Sequence, residues 1–480
     1  MENGKIRLRF APSPTGFLHI GNLRTALFGY LLAKSYGGKF ILRIEDTDQK
    51  REVENAAEKL VDILSWIGIN FDEGVHLGGP FAPYKQSERL EIYEKYSQEL
   101  LDKGLAYRCF CTEERLEEMR NKQITAKQPP RYDRLCRNLS SEESERRAKN
   151  GETFVIRQKM PESGEIVVHD ELRGDIRFRA EELDDHVLIK SNGVPTYHFA
   201  NIVDDHLMEI SHVTRGDEWL PSFPKNILLY QAFGWMPPKF IHLPLILNKT
   251  GGKLSKRQGD VFVEQYKDKG YLAAAIVNFC VLLGWHSKDD QEIWSLAELE
   301  KSFSLDGMGS SPAIFDPEKL DYYNSYYIRQ LSLESLAELV KPFADPENKI
   351  EAERFKKFIS LAQERLKRLD ESREAIAFLE ERPEFSEELL SWKSLSVAEA
   401  KDNLKKIREE LASFEAENWN KENLEKRLIA WVAKNGGKNG DYLWPLRVAL
   451  SGLKNSPSPF EIAWAIGKEE SLRRIDSLIS

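Results

Sequence analysis

The sequence predicts an α/β domain on a parallel sheet, interrupted by a polar insertion and followed by an all-helical region. Three observations carry this. Strand and helix patterns alternate over residues 5–104. The alternation breaks between about 107 and 186 and then resumes. Beyond about 330 only amphipathic helical patterns remain.

Lys5 to Ala11 reads as a strand, with Ile6, Leu8 and Phe10 on one face and Arg7, Arg9 and Ala11 on the other. Pro12 to Gly16 then form a loop rich in residues that stop regular structure. In the next stretch Leu23, Ala26, Leu27, Tyr30 and Leu31 recur at helical spacing, which predicts one buried stripe. A second strand is expected over Lys39–Glu45 and a helix over about Glu52–Ile67, with Val53, Ala57, Leu60, Val61 and Leu64 inward. Residues 85–104 read as another helix, closed by Gly104.

The insertion holds a cysteine cluster, a polar helix near 113–122, Pro129-Pro130, and short strands at 153–159, 164–170 and 174–179. The parallel sheet is expected to resume with strands at His186–Ser191, Thr196–Val203 and His212–Arg215, then a helix at Phe223–Phe233 and a strand at Phe240–Leu247. An apolar helix is expected over 271–285. Further helices are expected at about 353–381, 397–413, 423–434, 440–453, 459–466 and 469–479.

Composition bounds the function. The 480 residues are enough for about three or four domains. At 41% hydrophobic and 31% charged, the chain can bury cores and stay in water. No apolar run reaches the length of a membrane helix, and the N-terminus lacks a signal or transit pattern. A cytoplasmic protein with no membrane partner is the expectation. The net charge of −9 argues against bulk electrostatic binding of nucleic acid, but leaves room for a local basic track. Four cysteines do not make a disulfide framework at this length, and Cys280 sits alone in an apolar stretch.

Two motifs point to chemistry. His19, Gly21 and Asn22 fall at a helix N-terminus, where free N–H groups and the dipole favour an anion. The bland alternative is a turn that happens to carry Pro and His. Lys253, Lys256 and Arg257 follow the Gly-rich turn Lys249–Gly252. A charge run is usually a solvated face. Two separated cationic sites, one on a helix end and one on a loop, suit a triphosphate. One can cradle it and the other can offset charge on the α-phosphorus.

These motifs carry a resemblance. FAPSPTGFLHIGNLRTAL (Phe10–Leu27) with KLSKR (Lys253–Arg257) looks like a class I aminoacyl-tRNA synthetase. RIEDTD (Arg43–Asp48), GVPTYHFANIVDD (Gly193–Asp205) and HVTRGDEWL (His212–Leu220) resemble the bacterial glutamyl-tRNA synthetases in particular. The likeness runs through LWPLRVALSG (Leu443–Gly452) and SPFEIAWAIGKE (Ser458–Glu469) near the end. The signature departs at Asn22, where a His stands in many class I enzymes; Asn keeps a donor but cannot be cationic.

The resemblance implies a Rossmann-like catalytic domain (1–106 and 187–260) and an inserted tRNA acceptor-binding domain (107–186). It also implies a connecting stem-contact domain (261–330) and an all-helical anticodon-binding region (331–480). It implies a monomeric enzyme whose partners are ATP with Mg²⁺, L-glutamate and tRNA(Glu). The α-carboxylate of glutamate would attack the α-phosphate of ATP, and the glutamyl group would pass to the terminal adenosine of the tRNA. His19, Lys253 and Lys256 are the expected catalytic residues. His19, Gly21, Asn22, Ser255, Lys256 and Arg257 are the expected ATP ligands.

A glutamate site must satisfy two carboxylates and one ammonium. Arg9, on the polar face of the first strand, can make a bidentate pair with a carboxylate. Glu45, at the end of the next strand, can hold the ammonium. The alternative is that Arg9 and Glu45 simply pair across neighbouring strands. By resemblance Ala11, Ser13, Tyr197, Asn201 and Arg215 complete the pocket. Asp204, Asp205 and Asp217 read better as caps or salt-bridge partners, and Glu218 is kept as a weak candidate.

Cys109-X-Cys111 with a distant Cys136 suggests zinc. Zinc-bearing relatives resemble C-X-C…Y-X₃-C-X-H, but here the last position is Asn138, a poor ligand. Tyr132 stands as the fourth ligand by likeness to shorter relatives. The alternative is a vestigial site with three free thiols. Three rival functions remain: a glutamine enzyme, a shortened paralogue that glutamylates a modified tRNA base, and a non-catalytic paralogue that only binds tRNA or a partner. Arg9 speaks against the first, since a neutral amide would leave it unpaired. The C-terminal third speaks against the second, and His19, Lys253 and Lys256 against the third.

Overall fold

The computed structural model describes residues 6–14, 16–47, 55–254 and 261–479. It divides into two compact units, residues 1–266 with 276–317 and residues 267–275 with 318–480.

In the first unit, β1 (Arg7–Phe10), α1 (Ile20–Ser35) and β2 (Lys39–Leu42) form a strand–helix–strand unit that starts a parallel sheet, with Leu8 opposite Phe40 and Phe10 opposite Leu42. Then come α2 (Ala56–Ile67), β3 (Glu73–Gly74), which pairs parallel with β2, and α3 (Leu90–Asp102). The insertion contributes β4 (Ala106–Cys109), α4 (Glu113–Thr125), α5 (Ser141–Lys149), β5 (Val155–Gln158), β6 (Glu165–Asp170), β7 (Gly174–Arg179) and β8 (Val187–Ile189). The chain continues with α6 (Tyr197–Leu207), β9 (His212–Gly216), α7 (Phe223–Phe233), β10 (Lys239–Leu243) and β11 (Ile246–Leu247). α8 (Val263–Asp268), α9 (Ala273–Leu282), α10 (Leu296–Ser302) and β12 (Ala313–Ile314) follow.

Strand order is β1-β2-β3 on one side and β7-β6-β10-β9 on the other. The Ser211 N–H donates to the Arg7 carbonyl at 2.9 Å, which sets β9 beside β1. Arg9 is therefore on a strand with neighbours on both sides, and it is buried. Helix α1 is buried almost all round rather than along one stripe, because Ile20, Leu23, Phe28, Leu31 and Leu32 all lie inside. Gly29 lets it press on the sheet: a Cβ there would meet Thr214 Oγ1 at 3.0 Å and Phe40 at 3.1 Å. On α2 the inward positions are Ala56, Leu60, Ile63, Leu64 and Ile67, one step round from the expected set; Val53 lies outside the described residues.

Two expectations for this unit need correction, and one helix was not expected. Thr196–Val203 is not a strand but the body of α6. Strand-favouring residues such as Thr196, Ile202 and Val203 were outweighed by packing of Phe199, Ala200, Ile202 and Val203 into the core. The segment His186–Ser191 does not rejoin the parallel sheet; β8 pairs antiparallel with β5, in a β4-β5-β8 sheet. It is the β6–β7 hairpin that joins the main sheet, through Asp170 beside Phe240. Helix α5 was not foreseen, although Ser140 caps it by accepting from the Glu143 N–H.

The second unit is helical: α11 (Pro317–Gln330), α12 (Leu333–Ala344), α13 (Ala352–Ala362), α14 (Ser372–Glu380), α15 (Val397–Ala412), α16 (Lys421–Lys434), α17 (Asn439–Ser451), α18 (Pro459–Ile466) and α19 (Lys468–Ile479). The long helix expected at 353–381 is broken between α13 and α14, where Leu366 and Leu369 turn into the core. One apolar core runs through this unit, and Trp431, Trp444 and Trp464 pack against it. No described helix is long and apolar enough to cross a membrane.

Candidate active site

The site lies where β1, β2 and β9 end and α1 and α6 begin. His19 is the N-cap of α1: its Nδ1 accepts from the Gly21 N–H at 3.0 Å. Gly21 is half-buried and Asn22 exposed. The segment just beyond the cationic loop docks here. Ile20 N–H donates to the Val261 carbonyl, and Val263 N–H to the Leu18 carbonyl, both at 2.9 Å. At the other end of that loop, exposed Lys253 bridges to Leu247. The loop's two ends are thus anchored to the sheet and to the start of α1. Ser255, Lys256 and Arg257 lie outside the described residues.

Helix α6 brings Tyr197, Asn201, Asp204 and Asp205 to one face, since they recur at i, i+4, i+7 and i+8. That face meets the arginines of the strands. Arg9 Nε donates to Asp205 Oδ1 at 2.9 Å, and Arg43 Nη1 lies 2.7 Å from the same oxygen. Burial works against the Arg9 charge, but Asp205 outweighs it and the Arg9 pKa is raised. Burial likewise disfavours the Asp205 carboxylate, but Arg9 and Arg43 hold its pKa below the ordinary value. So Arg9 pairs with Asp205 and not with Glu45, against the cross-strand alternative.

Glu45 is buried and shared differently. Its Oε1 accepts from Arg43 Nη2 at 2.9 Å and from Asn201 Nδ2 at 2.8 Å. Its Oε2 is buried with no hydrogen-bond partner among the described residues. Burial raises the Glu45 pKa despite Arg43 and Arg9 nearby. Tyr197 stacks on Trp219, centroids 4.5 Å apart, and burial with the neighbouring Glu45 charge pushes its phenol up to about 12. Asp204 is spent on Arg89 Nε (2.7 Å), Tyr93 Oη (2.8 Å) and Gln86 Nε2 (2.9 Å).

Arg215 is buried on β9. Its Nε donates to His242 Nε2 at 2.9 Å. With the Asn226 amide oxygen turned toward it, that oxygen accepts from Nη1 at 2.8 Å and Nη2 at 3.2 Å. Burial lowers its pKa to about 10, and among the described residues no carboxylate forms an ion pair with it. Ala11 is half-buried and Ser13 exposed, on the loop after β1. Glu218 is exposed, with its carboxylate folded against Gly216, while Asp217 pairs with Arg173 at 2.6 Å.

The family described as "tRNA synthetases class I (E and Q), catalytic domain" matches residues 5–322. The chain is 46% identical over 477 residues to the glutamate–tRNA ligase of Clostridium tetani, covering 99% of this chain and 97% of that protein. The chain belongs to the glutamate–tRNA ligases.

It is a class I aminoacyl-tRNA synthetase that charges glutamate onto tRNA. The ligase of Clostridium kluyveri is also 46% identical, over 98% of this chain and 97% of its own. A family described as "Anticodon binding domain" matches residues 335–479. A crystal structure of a glutamate tRNA ligase from Elizabethkingia meningosepticum in complex with its amino acid superposes with a TM-score of 0.92. It shares 37% identity and each chain is covered to 99%. That of Elizabethkingia anophelis superposes at 0.90, with 36% identity and 99% of each chain covered.

In this glutamate–tRNA ligase the sequence pattern missed Arg43, Asn226, His242 and Asp170. Reading 196–203 as a strand hid the helical spacing of Tyr197, Asn201 and the two aspartates. That spacing was the available signal.

The cysteine cluster is a second centre. The sulfurs of Cys109, Cys111 and Cys136 lie within 4.8 Å of one another. Cys111 and Cys136 are 3.6 Å apart, and Tyr132 Oη is 3.2 Å from Cys109 and 3.4 Å from Cys111. Ligands around a tetrahedral zinc stand roughly 3.8 Å apart if each bond is about 2.3 Å. The cluster fits such an ion. The Arg157 guanidinium lies 4.0 Å over the Tyr132 ring, and Arg115 Nη1 is 3.5 Å from Cys111. Both cations offset thiolate charge.

Proposed function

We propose that the chain binds L-glutamate in the Arg9–Glu45–Arg215 pocket and ATP between the start of α1 and the Lys253–Arg257 loop, and charges tRNA(Glu) through a glutamyl-adenylate. The carrying observation is Glu45 Oε2, buried with no hydrogen-bond partner among the described residues and so suited to an ammonium. Among the described residues only Asp205 hydrogen-bonds Arg9, through Nε, which leaves the two terminal nitrogens for a carboxylate. Arg215, a buried cation with no ion-pair partner among the described residues, suits the other carboxylate. Ala11, Ser13, Tyr197 and Asn201 would line the pocket, with Glu218 at its margin.

In the first step a carboxylate oxygen of glutamate attacks the α-phosphorus and pyrophosphate leaves. In the second a ribose hydroxyl of the tRNA attacks the carbonyl carbon and AMP leaves. No side-chain nucleophile is required; the protein orients the reactants and offsets charge. His19, Gly21 and Asn22 would hold the triphosphate, and Lys253, Ser255, Lys256 and Arg257 would close on it. Mg²⁺ would arrive with the phosphates and add neutralising charge. The four-part division into 1–106 with 187–260, 107–186, 261–330 and 331–480 goes with this reading, as do a monomeric state and a cytoplasmic location.

Glutamate-dependent ATP–pyrophosphate exchange, with and without tRNA, tests the activity. Lys256→Ala should slow exchange by about 10²–10³-fold while glutamate binding, measured by calorimetry, barely changes. Unchanged exchange would refute the role of Lys256.

Cys109, Cys111, Cys136 and Tyr132 are proposed to hold a structural zinc. Its four bonds would tie β4 to the 132–136 segment. Protein prepared without chelator should carry about one zinc per chain by elemental analysis. Metal-free protein with an unchanged melting temperature would rule the ion out.

A further inference from the structure

We propose that His242 and Asp170 are positioning residues that hold the Arg215 guanidinium ready for a substrate carboxylate. This rests on Arg215 being a glutamate ligand, as proposed above. Three neighbouring strands supply the relay: Arg215 from β9, His242 opposite it on β10, and Asp170 at the end of β6. All three are buried.

The proton positions follow from chemistry. A guanidinium N–H only donates, so His242 Nε2, 2.9 Å from Arg215 Nε, must present a lone pair. The imidazole proton then sits on Nδ1 and is donated to Asp170 Oδ2 at 2.7 Å. Asp170 is itself held fast. Its Oδ2 also accepts from the His242 backbone N–H at 3.0 Å, and its Oδ1 from the Leu172 and Arg173 N–H groups at 3.0 and 3.2 Å. The Arg215 guanidinium is further framed by the Phe240 ring at 4.9 Å and the Phe223 ring at 5.7 Å.

The imidazole spacer has an electrostatic purpose. Arg9 meets a carboxylate directly and its charge is answered. Arg215 meets a neutral ring that fixes its plane without neutralising it. The carboxylate stands one residue further off. Arg215 therefore stays oriented and still attracts an anion.

The test measures glutamate KM, ATP KM and kcat in ATP–pyrophosphate exchange by the full-length enzyme. His242→Leu deletes the acceptor. Asp170→Asn offers an amide N–H₂ to His242, which favours the other tautomer and turns an N–H toward Arg215. Both should raise glutamate KM about tenfold, with ATP KM within about twofold. His242→Gln, which keeps an acceptor oxygen, should recover most of the loss. Arg215→Ala is the control: an unchanged glutamate KM there would sink the glutamate-site reading itself. If Arg215→Ala raises glutamate KM while Asp170→Asn and His242→Leu leave it within about twofold, the positioning role alone is overturned. Equal changes in both KM values without rescue by Gln would likewise make the pair merely structural. Where His242→Leu does not fold, the near-isosteric Asp170→Asn decides.

Discussion

Glu45 shows how one side chain can be strained and useful at once. One oxygen is held by Arg43 and Asn201, and the other is buried with no hydrogen-bond partner among the described residues. Burial raises its pKa, so the carboxylate ionises only above the ordinary range. Ammonium capture needs the ionised form. Glutamate KM should therefore rise as pH falls through that raised pKa, starting at a higher pH than a solvated carboxylate would give. Glu45→Gln should remove this acid limb and leave a uniformly high KM. The same limb persisting in that variant would assign it elsewhere. At this scale Arg9 and Glu45 could be named as candidates from the chain, because charge at a strand end is visible there, whereas Arg215 came only with the resemblance. Asp205 was read as a salt-bridge partner, and it is one, to Arg9 and Arg43. His242 gave no signal: a lone His in FIHLPL looks like any strand residue until its neighbours are known.

Among the elements, the parallel start of the sheet is the most constrained. The Gly38 N–H donates to the Ala33 carbonyl, and the Lys39 N–H to the Ile6 carbonyl, at 2.8 Å each. A Cβ on Gly38 would collide with the Ile6 carbonyl. Backbone cannot yield as a side-chain tip can. Gly38→Ala should destabilise the enzyme by about 1–3 kcal/mol in chemical unfolding, and a neutral effect would show that the turn can open. Periodicity located β2, α7 and the helices from α15 onward well, but it ran α13 and α14 together and gave no sign of α11 or α12. It failed at α6, whose β-branched and aromatic residues favour a strand when considered alone. Burial of its apolar residues Phe199, Ala200, Ile202 and Val203 in the core overrode the preference. It also placed β8 in the wrong sheet, since three apolar residues do not say which partner they pair with.

At the scale of the whole molecule, the chain leaves its second unit and returns. Residues 267–275 belong with 318–480, not with their sequence neighbours. Asn324 fastens that segment. Its Oδ1 accepts from the Leu272 N–H at 2.8 Å, and its Nδ2 donates to the Lys367 carbonyl at 2.6 Å, with the side chain fully buried. Asn324→Ala would remove two hydrogen bonds to part-buried backbone groups, at about 0.5–1.5 kcal/mol each. A drop of at least a few degrees in melting temperature is expected; none would mean that water replaces the amide.

The sequence by itself determined the family, the activity and the order of the parts. Those rest on contiguous motifs, and local periodicity and charge order survive in one dimension. The tertiary structure decided which charges meet. Asp205 answers Arg9, a spare oxygen of Glu45 stays open, and Asp170 reaches Arg215 only through His242. These partners lie tens to hundreds of residues apart. Only the register of neighbouring strands and the helical turn of α6 bring them within hydrogen-bond range.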